Sequence, residues 1–395
     1  MNKSAIPSII GRYILPFGIS VFLCGLCLFE SRSGYHSLLY LLVSLPALII
    51  CILKPSLLQQ AIKSNAFKLV CLLCTIAIIS TLWNGIDGSA SRYIRYTLNI
   101  LLFILAFIYT QHYNPHLLEK LLLLGCTTWA ISGVFELYQF YYVQGHAISA
   151  RVVGSGSLTN PLLSSHVYGA FASFLAAYLM AKKHSTSTNS LIIIGFLLLL
   201  TFIIQTHSRT PLLGLTAVFT LLLIQYSNKK IIYLSTFLAV ILAIYLVFNI
   251  NLITKRGFSY RPEIWQQALN IIHNKPIIGH GLDSAMAIYI PSLKKIFSDS
   301  HNIHLGLTYN IGLIGLITWL SLIGTLGHFF IKNKHNLLVS SGFTILIFGV
   351  FAGMTEGSWF FTRPKEIWFL TWLPIAIMIS SDERLNLKEL QLNER

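Results

Sequence analysis

The sequence predicts an all-α polytopic membrane protein, one integral domain over residues 1–395 with about twelve transmembrane helices. Three observations carry this. Hydrophobic residues make up 55% of the chain and charged residues 10%, and the mean hydropathy is +0.69, far outside soluble globular composition. Apolar runs long enough to cross roughly 30 Å of hydrocarbon recur from end to end. Only short polar stretches separate them, which argues against a separate soluble domain.

In order, the expected spans are residues 11–29, 35–53, 66–83, 93–110, 117–142, 162–181, 190–206, 211–226, 231–250, 303–331, 336–354 and 366–380. No small-residue cleavage site follows the first apolar run, so it reads as an anchor and not as a removable signal. The seventh and eighth are one apolar stretch interrupted by Thr206 to Pro211, "THSRTP", which reads as a tight re-entry. An even number of spans puts both termini on one side. Lys54 and Lys63, Lys182 and Lys183, Lys229 and Lys230, and Lys332 and Lys334 make that side the cytoplasm. Residues 251–302, between spans nine and ten, then form a periplasmic loop, although Lys255, Arg256, Arg261, Lys275, Lys294 and Lys295 in it run against the same rule.

Two further features of composition exclude function classes. Cys24, Cys27, Cys51, Cys71, Cys74 and Cys126 all lie in apolar runs, so the two Cys-x-x-Cys spacings read as helix packing and not as zinc or redox motifs. The formal net charge is +15, yet no basic face with interleaved aromatics stands clear of the membrane, which excludes nucleic acid as a partner.

The cations instead sort by type. Lysines gather on the cytoplasmic side, whereas Arg32, Arg92, Arg95, Arg151, Arg209, Arg256, Arg261 and Arg363 fall outside. The planar guanidinium binds phosphate oxygens in pairs and stays charged in a low dielectric, so clustered arginines suit an anionic substrate. Taken singly, each also reads as a headgroup anchor or a helix cap. Arg209 is the exception, held near the membrane by two flanking apolar runs.

Four outer segments place polar residues at span boundaries: "RVVGSGSLTNP" (151–161), "THSRTP" (206–211), "YRPEIWQQALNIIHNKPIIGHGLDS" (260–284) and "SHNIHLGL" (300–307). Together they could line one cavity. In the third, Pro262 suits a first helical turn, and Ile264, Ala268 and Ile271 or Ile272 recur at helical spacing until Lys275 and Pro276. Such a helix is expected on the membrane surface with Trp265 as its anchor. In the fourth, His304 stands about one turn beyond His301 on a similar face, next to Asp299 and the arginines. An interfacial histidine also reads as a helix cap.

At these residues the sequence resembles the O-antigen ligase family of bacterial membrane enzymes. His301-Asn302-x9-Gly312-x-x-Gly315 matches that family's histidine-glycine pattern. "SRTPLLGL" and "RPEIWQQALNIIHNKPIIGHG" are similar to its Ser-Arg turn and its Arg-x-x-x-Trp to Pro-x-x-Gly-x-Gly stretch, and "RVVGSGSLTNP" to the arginine segment before them. The likeness spans about residues 150–370. It implies a GT-C-like helical fold in the bacterial inner membrane and a glycan passed from undecaprenyl diphosphate to the lipid A-core oligosaccharide on the periplasmic face. It also implies functional roles for Arg209, Arg261 and His301. Arg151, Asn302, His304 and Arg363 are the candidate substrate-binding residues beside them. The outer loop, about fifty residues, is short for two sizeable periplasmic helices, so acceptor contacts from that loop carry over least.

The chemistry agrees with what is present. Diphosphate is a good leaving group whose developing charge needs neutralising, a task for Arg209 and Arg261. The acceptor hydroxyl needs a base, and a neutral imidazole, His301, suits it. The outward carboxylates Asp87, Asp283, Asp299, Glu263 and Glu356 form no close pair in sequence, so the expectation is no metal, no cofactor and an inverting transfer. Three other readings stay open: an O-antigen polymerase using a lipid-linked glycan as acceptor, a transporter or flippase of lipid-linked sugars, and transfer to protein hydroxyls. No repeat between the halves favours the transporter. Beyond the two glycolipids and the surrounding lipid, a homo-oligomer also stays open.

Overall fold

The computed structural model describes residues 5–86, 88–226, 229, 231–233, 235–237, 239–240, 260–356 and 359–393, with backbone alone beyond residue 382. In chain order its helices are α1 (Ile6–Leu28), α2 (Arg32–Leu53), α3 (Pro55–Lys63), α4 (Asn65–Trp83), α5 (Ser89–Tyr113) and α6 (Leu117–Val143). There follow α7 (Pro161–Ala181), α8 (Thr186–Gln205), α9 (Thr210–Tyr226), α10 (Arg261–Ile272), α11 (Ile303–Asn333), α12 (Leu337–Gly353), α13 (Glu366–Leu370) and α14 (Trp372–Asp382). Eight of them, α1, α2, α4 to α8 and α11, are long and apolar enough to cross a membrane, and α9, α12 and α14 are shorter apolar helices. These eleven fall on eleven of the expected spans. The remaining one, 231–250, lies largely outside the described residues, as does the start of the 251–302 loop.

Asparagine and proline set the helix starts that matter for the site. Asn160 caps α7, its Oδ1 accepting from the N–H groups of Leu162 and Leu163 at 2.8 and 3.4 Å, and Pro161 occupies the first turn. Asn302 does the same for α11, accepting from His304 and Leu305 at 2.9 and 3.2 Å. Helix α7 is the hub of the bundle. It packs against α8, α9, α12 and α13, and 89% of its apolar window is buried, against 33% for α8. Small residues permit this closeness: the Phe348 ring of α12 fills the space where side chains at Gly169 of α7 and Gly214 of α9 would stand.

Outside the main core, α10 belongs to a second, smaller one. Ile264, Ala268 and Ile272 are buried with Met286, Ile288, Ile290 and Tyr309. The last isoleucines come from a short antiparallel hairpin, β1 (Ile288–Ile290) with β2 (Lys295–Phe297), the sole sheet among the described residues. The apolar stripe of α10 thus packs on protein. The hairpin and the start of α11 supply a protein partner for the stripe, and fully burying an isoleucine is worth on the order of 1.5–3 kcal/mol.

The glycine motifs lock this small core to the bundle. Helix α11 breaks at Ile311 and Gly312, where Gly312 takes φ +67° and ψ −172°. The break frees backbone groups that the "PIIGHG" loop then satisfies. His280 and Gly281 donate to the carbonyls of Tyr309 and Asn310 at 2.7 and 2.9 Å, and Leu313 and Ile314 donate to those of Pro276 and Ile277 at 2.8 and 3.3 Å. A side chain at Gly312 would run into the Ile277 carbonyl. The two glycine-containing stretches of the sequence are thus halves of one joint.

Candidate active site

Where α7, α9 and α10 begin, they surround a cavity of about 870 Å³. Arg151, Arg209 and Arg261 line it, with Leu162, Leu213 and Trp265 as its apolar surface and no carboxylate among its described lining residues. Three helix starts contribute as well: Asn160 to Leu162 of α7, Thr210 of α9, and Arg261 with Pro262 of α10. The helix dipole makes each such terminus favourable to negative charge. Guanidinium groups and helix starts therefore act in the same direction.

The arginines are held by local structure. Arg151 donates from Nε to the Thr206 carbonyl at 2.8 Å and from a terminal nitrogen to Ser208 Oγ at 3.3 Å, which ties the "RVV" segment to the turn between α8 and α9. That turn is the expected re-entry, and His207 in it has φ +48°. Arg261 opens α10 directly after Tyr260, which has φ +59°. Burial lowers the Arg261 guanidinium, Glu356 opposes that shift, and Arg209 adds to it. The two arginines and the carboxylate are thus within electrostatic reach of one another.

His301 stands beside this cavity and does not line it. Its backbone is left-handed, φ +47°, and the Asp299 carboxylate accepts its N–H at 2.6 Å. Non-glycine residues seldom adopt this conformation, and such strain gathers at functional positions. His301 Nδ1 lies 3.7 Å from Glu356 Oε1, an ion-pair distance longer than a hydrogen bond. Contact with Glu356 raises the imidazole above its ordinary range, burial lowers it, Asp299 raises it further, and Arg261 lowers it. Burial by itself would raise the Glu356 carboxyl, but His301 above all, with His166 and Arg261, holds it below its ordinary value. The two shifts agree: each partner favours the charged form of the other.

Of the other candidates, Asn302 is engaged as the α11 cap and His304 is placed against the Val350 carbonyl of α12. Arg363 is exposed and lines neither this cavity nor the smaller one described below. Sequence reasoning missed the pairing of Glu356 with His301. Glu356 stood out only as one of few outward carboxylates, because the loop after α12 meets the mouth of α11 only in three dimensions. It likewise missed that Asp299, His301 and Glu356 bring ligand atoms within 4.8 Å of one another, close enough to hold a cation. Arg32, which read as a headgroup anchor, instead donates to the Ser157 carbonyl at 3.2 and 3.0 Å and pairs with the buried Glu366.

Fold and cavity define a polytopic membrane protein with an arginine-lined cavity where three helices begin. A family model described as O-antigen ligase matches residues 194–320, a stretch that holds Arg209, Arg261 and His301. The chain is also 38% identical over 378 residues to an O-antigen ligase of Pseudomonas aeruginosa, covering 94% of this chain and 91% of that protein. It belongs to the O-antigen ligase family, and is accordingly an enzyme of glycosyltransferase type.

Proposed function

We propose that the protein transfers a glycan from undecaprenyl diphosphate to a hydroxyl of the lipid A-core oligosaccharide, at the periplasmic face of the inner membrane, with inversion and without a metal. The observation that carries this reading is the 870 Å³ cavity whose lining combines three arginines with three helix starts and, among the described residues, no carboxylate. A diphosphate is the lipid-linked group that such a lining suits.

In this reading Arg209 and Arg261 hold the diphosphate and take up the charge that grows as the glycosidic bond breaks. Arg151 fixes the turn that carries Arg209. His301 removes the proton of the acceptor hydroxyl, and Glu356 orients and strengthens it as a base. Asn302 positions His301 through the helix start, and His304 supports the same start from α12.

Deleting the gene and separating the lipopolysaccharide on a gel tests the reading. Loss of a ligase leaves lipid A-core alone while glycan accumulates on the carrier lipid. Glycan chains shortened to single units on an otherwise capped core would instead indicate a polymerase.

A further inference from the structure

A second, smaller cavity of about 140 Å³ adjoins the first. The two share a wall. Leu162 and Thr355 line the cationic cavity, and their chain neighbours Leu163 and Glu356 line the small one. A hydrogen bond of 2.6 Å from Thr355 Oγ1 to Thr210 Oγ1 fixes that wall to the start of α9.

Its chemistry differs from that of its neighbour. Arg32 and Lys365 line it together with Asp299, Glu356 and Glu366, so carboxylate acceptors stand with cationic donors, whereas the first cavity has three arginines and no carboxylate among its described lining residues. Three carboxylates disfavour a diphosphate, and two cations in the same wall disfavour a metal ion. Two polar atoms of lining residues that are each 1% exposed, His166 Nε2 and Glu366 Oε2, have no hydrogen-bond partner. Buried polar atoms are nearly always paired, so this arrangement calls for a ligand that both donates and accepts. Each hydroxyl of a sugar does so. Trp359, 47% exposed, adds a flat apolar face against which the C–H side of a sugar ring packs.

We propose that this cavity is the subsite for the terminal sugar ring of the acceptor glycan. The inference rests on the transferase reading above. The acceptor oxygen bonds to the anomeric carbon of the donor as the bond from that carbon to the diphosphate oxygen breaks. The electron pair leaves with the diphosphate, and the hydroxyl proton passes to His301 Nε2, the ring nitrogen turned from Glu356. The two carboxylates beside His301, Asp299 and Glu356, line the acceptor cavity, whereas Arg209 and Arg261 line the donor cavity.

The test measures initial rates of the full-length protein in nanodiscs, varying lipid-linked glycan donor and lipid A-core acceptor separately. Trp359→Ala should raise the acceptor KM about five-fold to ten-fold, the loss of one aromatic packing contact, and leave the donor KM unchanged. Trp359→Phe, which keeps a ring, should recover most of it. Thermal unfolding of each variant establishes that it is folded. An unchanged acceptor KM in folded Trp359→Ala would overturn the subsite and leave the cavity to ordered water, and so would a rise in the donor KM alone. Failure of the ligase reading looks different: wild type would transfer nothing to lipid A-core. If it then extended a lipid-linked glycan with a Trp359-dependent acceptor KM, the subsite would stand for that acceptor.

Discussion

His301 Nδ1 and Glu356 Oε1 face each other across 3.7 Å, one at the mouth of α11 and the other just beyond the end of α12. The pair makes the imidazole a stronger base and keeps it protonated to higher pH. Transfer by neutral His301 should therefore rise with pH through a value above the ordinary imidazole range. Glu356→Gln removes the largest raising contact and leaves burial and Arg261, which lower, against Asp299, which raises. The acidic limb of the pH–rate profile should move to lower pH, and the plateau should fall because a weaker base remains. If the limb stays in place and activity is lost at every pH, Glu356 itself takes the proton.

Arg209→Lys and Arg261→Lys should each lose most of the activity although charge is retained, since two-point contact with diphosphate oxygens needs the guanidinium fork. Arg95, exposed on α5 and outside both cavities, is the control, and Arg95→Lys should be nearly silent. Arg32 does not serve as a control, because its contacts with Ser157 and Glu366 also depend on the fork. Equal tolerance of lysine at 209, 261 and 95 in a transfer assay would contradict the clamp.

The cluster of Asp299, His301 and Glu356 invites a direct check for metal. Asp299 already accepts the His301 N–H, and Arg261 lowers the His301 imidazole while helping to keep Glu356 ionised. A cation would have to enter against that guanidinium. Transfer in the presence of a strong chelator should equal transfer without it. Inactivation reversed by adding back one divalent ion would make this cluster a metal centre and displace His301 as the base.

Much of this arrangement is legible in the sequence, and the limits have physical causes. Helix positions follow from apolar length, because that is a local property. The gathering of Arg151, Arg209 and Arg261 followed from arginines at span boundaries on one face. Partners of α10 could not be read this way. An amphipathic stripe records that one face is buried but not what buries it, and the hairpin that does so has two three-residue strands. Glu356 escaped for the same reason, since two membrane helices lie between it and His301 in sequence.

Gly312→Ala tests whether the glycine motif is a joint and not a catalytic feature. Its φ of +67° disfavours a side chain, and the added methyl group would meet the Ile277 carbonyl. The expected cost is about 1–3 kcal/mol or more, seen as a lower unfolding temperature in detergent and less protein in the membrane. The residual folded fraction should keep a near-normal KM for both substrates. A stable protein with lost turnover would give Gly312 a direct part in the chemistry.

The two histidines at the mouth of α11 separate most sharply by substitution. His301 carries the strained backbone, the Asp299 contact and the Glu356 pairing, whereas His304 lies within the first turn, set against the Val350 carbonyl. If His301 is the base, His301→Ala should abolish transfer while the protein still folds, inserts and binds donor, because the lost step is proton removal in the transition state. Loss of a general base costs about 10² to 10⁴ in rate, well within the range of an assay with purified donor and acceptor. His304→Gln, which retains a hydrogen-bonding group toward α12, should keep a measurable share of the activity. Near-normal turnover in His301→Ala with none in His304→Ala would move the base one turn inward. Activity in both would reduce the imidazoles to helix-mouth hydrogen-bonders, and the base would then be sought among Glu356 and Asp299, whose carboxylates line the smaller cavity.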